Sequence, residues 1–145
     1  KSEFGFGNGY KDNDGLPFFE NYFIGGGRSI RGFEDNSLGP KDSQNDPLGG
    51  NVRYLENLSL IFPMPFIKDS RSVRLSLYID GGNVYDSNKE TSNFGNHLDN
   101  FRYSTGVSAT WLSPVGVLSF SFSKVLKSKK EDEKQLFQFS FGSAI

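Results

Sequence analysis

Few side chains in this sequence could do chemistry. The 145-residue chain has no Cys, which removes a disulfide framework, a thiolate metal site and a Cys nucleophile. Its single His, His97, lies in a polar stretch without ligand partners, so no metal site or His-paired dyad is expected. Asp12-Asn13-Asp14-Gly15 opens like a calcium loop but lacks the distal bidentate Glu, and reads as an exposed turn. Gly5-Phe6-Gly7-Asn8-Gly9 has the wrong spacing for a dinucleotide fingerprint, and no helical pattern follows it. What remains is Gly25-Gly26-Gly27-Arg28-Ser29-Ile30-Arg31-Gly32-Phe33. Glycines let backbone approach backbone closely and adopt positive φ. An Arg in such a tight tip can fork onto a carboxylate. Two readings stand: a solvated loop whose Arg residues aid solubility, or a loop that folds back into the protein and pins itself there.

The elements that would position this loop are strands. Hydrophobic residues make up only 35% of the chain, yet aromatics reach 15%, with 15 Phe, 6 Tyr and 1 Trp, beside 17 Gly and 6 Pro. Such a chain is a poor helical bundle and too aromatic for disorder. Val73, Leu75, Leu77 and Ile79 alternate with Arg74, Ser76, Tyr78 and Asp80. Phe101, Tyr103, Val107, Ala109 and Trp111 alternate with Arg102, Ser104, Gly106, Ser108 and Thr110. Leu118, Phe120 and Phe122 alternate with serines, and Phe137, Phe139 and Phe141 with Gln138, Ser140 and Gly142. Asn51–Phe62 alternates less cleanly, and Phe4 and Phe6 fit the tail of an earlier strand. Strands are predicted near 51–62, 72–85, 101–112, 117–126 and 135–143, as antiparallel neighbours in sequence order. No apolar run approaches the length of a transmembrane helix, so any membrane role must use strands. An aromatic-ended apolar face opposite a small hydroxylic one suits a transmembrane β-barrel, or a soluble antiparallel sheet with one face on a core. Net charge is −1, which excludes a global basic field for nucleic acid.

The connections favour the barrel. Ser113-Pro114-Val115-Gly116 and the Pro63-Met64-Pro65 segment are short. Those at 24–50, 86–100 and 127–134 are long and polar, and short alternates strictly with long. Outer-membrane barrels show that asymmetry, with short periplasmic turns and long external loops. Lys127–Lys134, KSKKEDEK, carries charge on every side with no apolar stripe, and reads as a solvated hairpin loop.

The string IGGGRSIRGFEDNSLGP strongly resembles the signature loop of the BamA family of outer-membrane protein insertases. Further matches follow in order: Leu48-Gly49-Gly50-Asn51, Ile61-Phe62-Pro63-Met64-Pro65-Phe66, Asp80-Gly81-Gly82-Asn83-Val84-Tyr85-Asp86, Trp111-Leu112-Ser113-Pro114-Val115-Gly116 and Phe137-Gln138-Phe139-Ser140-Phe141-Gly142. Upstream, Pro17-Phe18-Phe19-Glu20-Asn21-Tyr22-Phe23 and the Phe at 33 fit this family better than the related TamA and two-partner secretion transporters.

The resemblance implies a C-terminal fragment, residues 1–145, of a sixteen-stranded transmembrane barrel: an all-β antiparallel meander of the last five to six strands, with the signature loop at about 24–50. It implies an integral outer-membrane protein of a Gram-negative bacterium that assembles and inserts other β-barrels, without enzymatic chemistry, metal or cofactor. Implied partners are unfolded outer-membrane β-barrel proteins, outer-membrane lipid, and accessory lipoproteins that dock on periplasmic domains preceding this part of the family's chain. In the family the loop residues Gly26, Gly27, Ile30, Arg31, Gly32 and Phe33 tuck into the lumen, where Arg31 meets the inward carboxylate of Asp80. The last strand, Phe137, Phe139, Phe141 and Gly142, is the gate that offers an edge to a client strand. Gly142 would weaken it near its end. The family usually has a Glu where Ser59 stands, so Arg31 is left with one carboxylate. The nearby Glu56 has the parity of the lipid face unless a bulge near Asn57 turns it inward. Five full strands cannot close a barrel, so an isolated chain is expected to self-associate through the Phe137–Phe141 edge, burying Phe120, Phe122, Trp111 and Phe139. A two-partner-type secretion pore and a soluble β-sandwich binding module are the competing readings. The number of upstream periplasmic repeats discriminates the first, and behaviour without detergent the second.

Overall fold

The computed structural model describes residues 1–9, 16–63, 72–88 and 100–142. The Asp12–Gly15 turn, His97, the middle of the 63–72 connection and the last three residues lie outside them. The strands in chain order are β1 (Ser2–Phe6), β2 (Gly32–Phe33), β3 (Val52–Pro63), β4 (Val73–Tyr85), β5 (Arg102–Ser113), β6 (Gly116–Lys127), β7 (Lys134–Gln135) and β8 (Phe137–Phe141). One sheet runs β1-β3-β4-β5-β6-β8, every pair antiparallel, and β2 pairs with β7 in a separate two-stranded ribbon. Period-two alternation therefore gives an all-β meander, with strand ends close to those expected from sequence.

Registers fix which side chains share a face. Asn57 lies opposite Asp80, and Asp80 opposite Ser104, so these three point the same way. The opposite face carries Leu58, Leu60, Leu77, Ile79, Val107, Trp111, Phe122, Phe137 and Phe139, all exposed. The β3–β4 ladder runs unbroken from Val52 to Pro63, so Glu56 stays on this outward face. Its carboxylate accepts hydrogen bonds from the hydroxyls of Ser2 and Tyr54, both at 2.6 Å. Those bonds satisfy the carboxylate where it stands.

A sandwich would cover the inner face with a second sheet; here the long loop covers it. The buried apolar cluster joins loop residues Ile24, Ile30, Phe33 and Leu38 to Leu55 of β3 and Val84 of β4. Burying these side chains supplies the main drive for the loop to fold back. The loop's base is closed by Tyr22–Gly50 and Ile24–Leu38 bridges.

The expected last strand, 135–143, is interrupted. Ser123 donates its N–H to the Leu136 carbonyl at 2.8 Å, and beyond that bond the chain turns inward, so Gln135 and Lys134 pair with Gly32 and Phe33 of the loop. Only Phe137–Phe141 pairs with β6.

Candidate functional site

The loop tip delivers Arg31 to Asp80 at the middle of β4. Arg31 donates from Nε to Asp80 Oδ2 at 2.6 Å and from Nη2 to Oδ1 at 2.8 Å, a two-pronged fork. The Arg31 backbone N–H adds a bond to Oδ2 at 3.1 Å, and Asn57 Nδ2 one to Oδ1 at 2.9 Å. Asp80 thus accepts four hydrogen bonds while fully buried, whereas the Arg31 side chain is 14% exposed. Charge-assisted forks of this kind are the strong class of hydrogen bond, and removing one partner strands the other charge.

Other groups steady the same guanidinium. Its Cζ lies 3.4 Å from the centroid of the Tyr78 ring, so the cation rests on an aromatic face. Nη2 also reaches Ser59 Oγ at 3.4 Å, where the BamA resemblance leads one to expect a carboxylate. Asn57 links Asp80 to the loop instead, since its amide also donates to the Ser29 carbonyl at 2.6 Å. Tyr78 in turn hydrogen-bonds Ser123 two strands away. It reaches there across Gly106, where an added Cβ would sit 2.6 Å from the Tyr78 hydroxyl and 2.1 Å from the Phe122 carbonyl.

The other loop residues hold the tip's shape. Ile30 and Phe33 are fully buried in the apolar cluster. Gly26 has φ +92° and donates its N–H to the Ile30 carbonyl at 3.1 Å, whereas a Cβ on Gly27 would meet open space. Gly32, also at φ +92°, lies against Ser123, whose Cβ an added Cβ would meet at 2.8 Å. A side chain at 26 or 32 would be strained.

On the last strand, Phe137 and Phe139 lie outward and pack on Phe122 and Phe120, with ring centroids 4.9 and 5.1 Å apart. Phe141 is exposed, and Gly142 bends away at φ +84° after donating to the Val117 carbonyl at 2.8 Å. The structure therefore brings Arg31 and Asp80 together. It also ties the loop tip to the approach to β8, while the phenylalanines of β8 sit on the opposite face of the sheet.

Three residues escaped sequence reasoning. Asp132, inside the charge run read as solvated, is buried and forks onto Arg102 at 3.1 and 3.0 Å. Arg102 also donates to Asn83 and, at 3.1 Å, to the Asn100 carbonyl. Lys129 N–H caps Asp132 at 2.6 Å. Nothing in KSKKEDEK sets Asp132 apart; the available signal was Arg102, the one cation in the inward row of β5. Tyr78 and Gln138 were each the bulky polar side chain in an inward row of small ones.

Two exposed carboxyls join the loops above the site. Glu34 donates its N–H to the Glu133 carbonyl at 3.0 Å. A hydrogen bond to Glu133, and then the Glu133 charge, raise the Glu34 carboxyl above the ordinary range. The same hydrogen bond, followed by the nearby Lys41 charge, lowers Glu133.

Below Arg31 the inner face opens into a trough of about 830 Å³ lined by Ser59, Ser76, Ser108, Thr110, Ser119 and Ser121, among others. Ser76 bonds Ser108 at 2.6 Å, and Thr110 lies 3.4 Å from Ser119. The arrangement is a clamp with a polar vestibule. Arg31 engages Asp80 through both Nε and Nη2, which holds the loop tip on β4.

Comparison with known proteins agrees with this architecture. Residues 1–145 match the Omp85 superfamily domain. The chain is similar to the outer membrane protein assembly factor BamA of Neisseria meningitidis serogroup B, with 42% identity over 99% of this chain and 21% of that protein. It is 33% identical to BamA of Nitratidesulfovibrio vulgaris over 88% of this chain and 16% of that protein. A SAM50-like protein of Schizosaccharomyces pombe is 28% identical over 85% of this chain and 26% of its own length. The chain thus spans about a fifth of the curated BamA proteins it matches. The crystal structure of BamA from Haemophilus ducreyi lacking POTRA domains 1–3 superposes with a TM-score of 0.82, at 33% identity, over 95% of this chain and 29% of that one. With a meander of antiparallel strands, a signature loop folded onto its polar face and a domain match across every residue, the chain belongs to the Omp85 superfamily.

Proposed function

We propose that residues 1–145 are the C-terminal part of an outer-membrane β-barrel that assembles and inserts other β-barrel proteins in a Gram-negative bacterium, by strand pairing at its last strand and not by covalent chemistry. The observation that carries this reading is the signature loop clamped through Arg31 to Asp80, in a chain 42% identical to a BamA protein. The outward face supports the membrane setting. On β5, eight residues separate Tyr103 from Trp111, about 27 Å along an extended strand, or about 20 Å of height at the tilt of a membrane barrel. That approaches the height of an outer-membrane barrel's apolar band.

In this reading the loop residues Gly26, Gly27, Ile30, Arg31, Gly32 and Phe33 brace the barrel wall against Asp80. Phe137, Phe139, Phe141 and Gly142 form the gate strand that a client pairs with. Such pairing spares the client unpaired backbone groups in lipid. The partners are unfolded β-barrel proteins, outer-membrane lipid, and accessory lipoproteins through periplasmic domains. An isolated chain of this length would self-associate through its open edges.

The test reconstitutes the full-length protein in phospholipid vesicles with a urea-unfolded outer-membrane barrel protein. The readout is the rate at which the heat-modifiable folded client appears. Acceleration over empty vesicles is expected. No acceleration, or passage of the client into the vesicle lumen without insertion, overturns the reading, the latter in favour of a secretion pore.

A further inference from the structure

Lys134 and Gln135, just before the last strand, are held by the signature loop rather than by β6. β6 runs 12 residues, but β8 pairs with it over only Phe137–Phe141, too short to cross a bilayer. The residues just before it are bound inside. Gln135 and Lys134 pair with Gly32 and Phe33. The Gln138 side chain, 8% exposed, donates from Nε2 to the Phe33 carbonyl at 2.6 Å and lies with Oε1 3.4 Å from the Gly32 N–H. Both ends of one amide are thereby placed on the loop's two-residue strand. Farther out, Lys41 Nζ bonds the Glu131 carbonyl at 2.6 Å, and Glu34 bonds Glu133.

We propose that Gln138 is a positioning residue that fastens the last strand to the signature loop, so that the loop sets how much of that strand can pair along the sheet. Loop and strand move as one unit. While Arg31 stays on Asp80, residues 134–136 are kept on the loop. When the loop lifts, those residues are free to continue the β6–β8 ladder. Continuing the present register past Phe122–Phe137 and the Ser123–Leu136 bond puts Lys124 opposite Gln135 and Val125 opposite Lys134. The paired stretch of the gate strand would then run over residues 134–141, eight residues in place of five. This inference rests on β8 acting as the gate strand of an assembly barrel.

The experiment introduces the cysteine pair Lys124→Cys/Gln135→Cys into the full-length protein in its native membrane and measures disulfide yield under mild oxidation. A second pair, Phe120→Cys/Phe139→Cys, lies within the present ladder and reports that the last strand is folded. With Gln138 and Arg31 intact, the first pair is expected to cross-link weakly and the second well. Gln138→Ala and Arg31→Ala are each expected to raise the first pair's yield about tenfold, as loss of a buried hydrogen bond would, with the second pair unchanged. Should the alanine variants lose the second pair, Gln138→Glu keeps shape and acceptor, loses the donor to Phe33, and must give the same rise. Equal cross-linking of both pairs in the unaltered background, or no rise in any variant that retains the second pair, overturns the proposal. A rise alongside failure of the folding assay in vesicles would leave the tie standing and remove only the assembly role.

Discussion

Among the described residues, two arginine–aspartate forks have nearly the same geometry and different surroundings. Arg31–Asp80 joins the loop tip to the middle of the sheet, and Arg102–Asp132 joins the 127–134 connection to the top of β5. The first opens on one side to the serine-lined trough, leaving Arg31 14% exposed. The second is sealed, at 3% for Arg102 and 0% for Asp132. A charge that water can reach survives the loss of its partner better than one that water cannot. The comparison separates two settings of one chemical pair: one beside a water-accessible trough and one closed off from water.

That contrast is open to measurement. Asp132→Ala is expected to have the largest effect, about 3–5 kcal/mol, because it strands Arg102 in a dry site. Asp80→Ala should cost visibly less, since water from the trough and the Tyr78 ring both remain beside Arg31. The temperature at which the full-length barrel loses its compact gel mobility ranks the two, and equal shifts would erase the distinction. Next in size is Tyr78→Phe, which removes the bond to Ser123 but keeps the ring under Arg31, and should cost about 1 kcal/mol on the same scale. A loss as large as that of Asp80→Ala would mean that the open fork depends on the β6 contact more than on its own charges.

The smallest effect concerns pH. Glu34 has its carboxyl raised, so its contribution is complete below the ordinary carboxylate value and fades as pH rises through the raised one. Glu133 is lowered, so its contribution is present above the ordinary value and fades as pH falls through the lowered one. The contact is therefore firmest in the acidic window between the two values and loosens toward neutrality, when both carry charge. Hydrogen exchange at the Glu34 amide, corrected for intrinsic rate, should quicken across that rise. Glu34→Gln should flatten the response.

Much of the sheet was legible because a period of two leaves little freedom once one face is apolar. Val73–Ile79 alone fixes which way Asp80 points. The glycine-arginine tip was legible because few loops use that composition. Asp132 was hidden because burial of one acid among eight charged and polar residues is a tertiary event. The break at Leu136 was hidden for a related reason: Lys134 and Gln135 continue a strand pattern acceptably, and only the competing backbone of Gly32 and Phe33 draws them inward. Glu56 defied expectation least. Its parity was right, and two local hydroxyls made the outward position tolerable without a bulge.

The trough beneath Arg31 has a kinetic consequence. One stretch of its wall, formed by Ser76, Ser108, Thr110, Ser119 and Ser121, carries hydroxyls on short stems, with Ser76 already engaged with Ser108. Such groups trade bonds with water at little cost and offer neither an apolar pocket nor a long flexible arm. A polypeptide brushing that stretch meets only weak, readily exchanged hydrogen bonds. The surface is slippery in the mechanical sense, and residence near it is brief unless a strand edge supplies the hold.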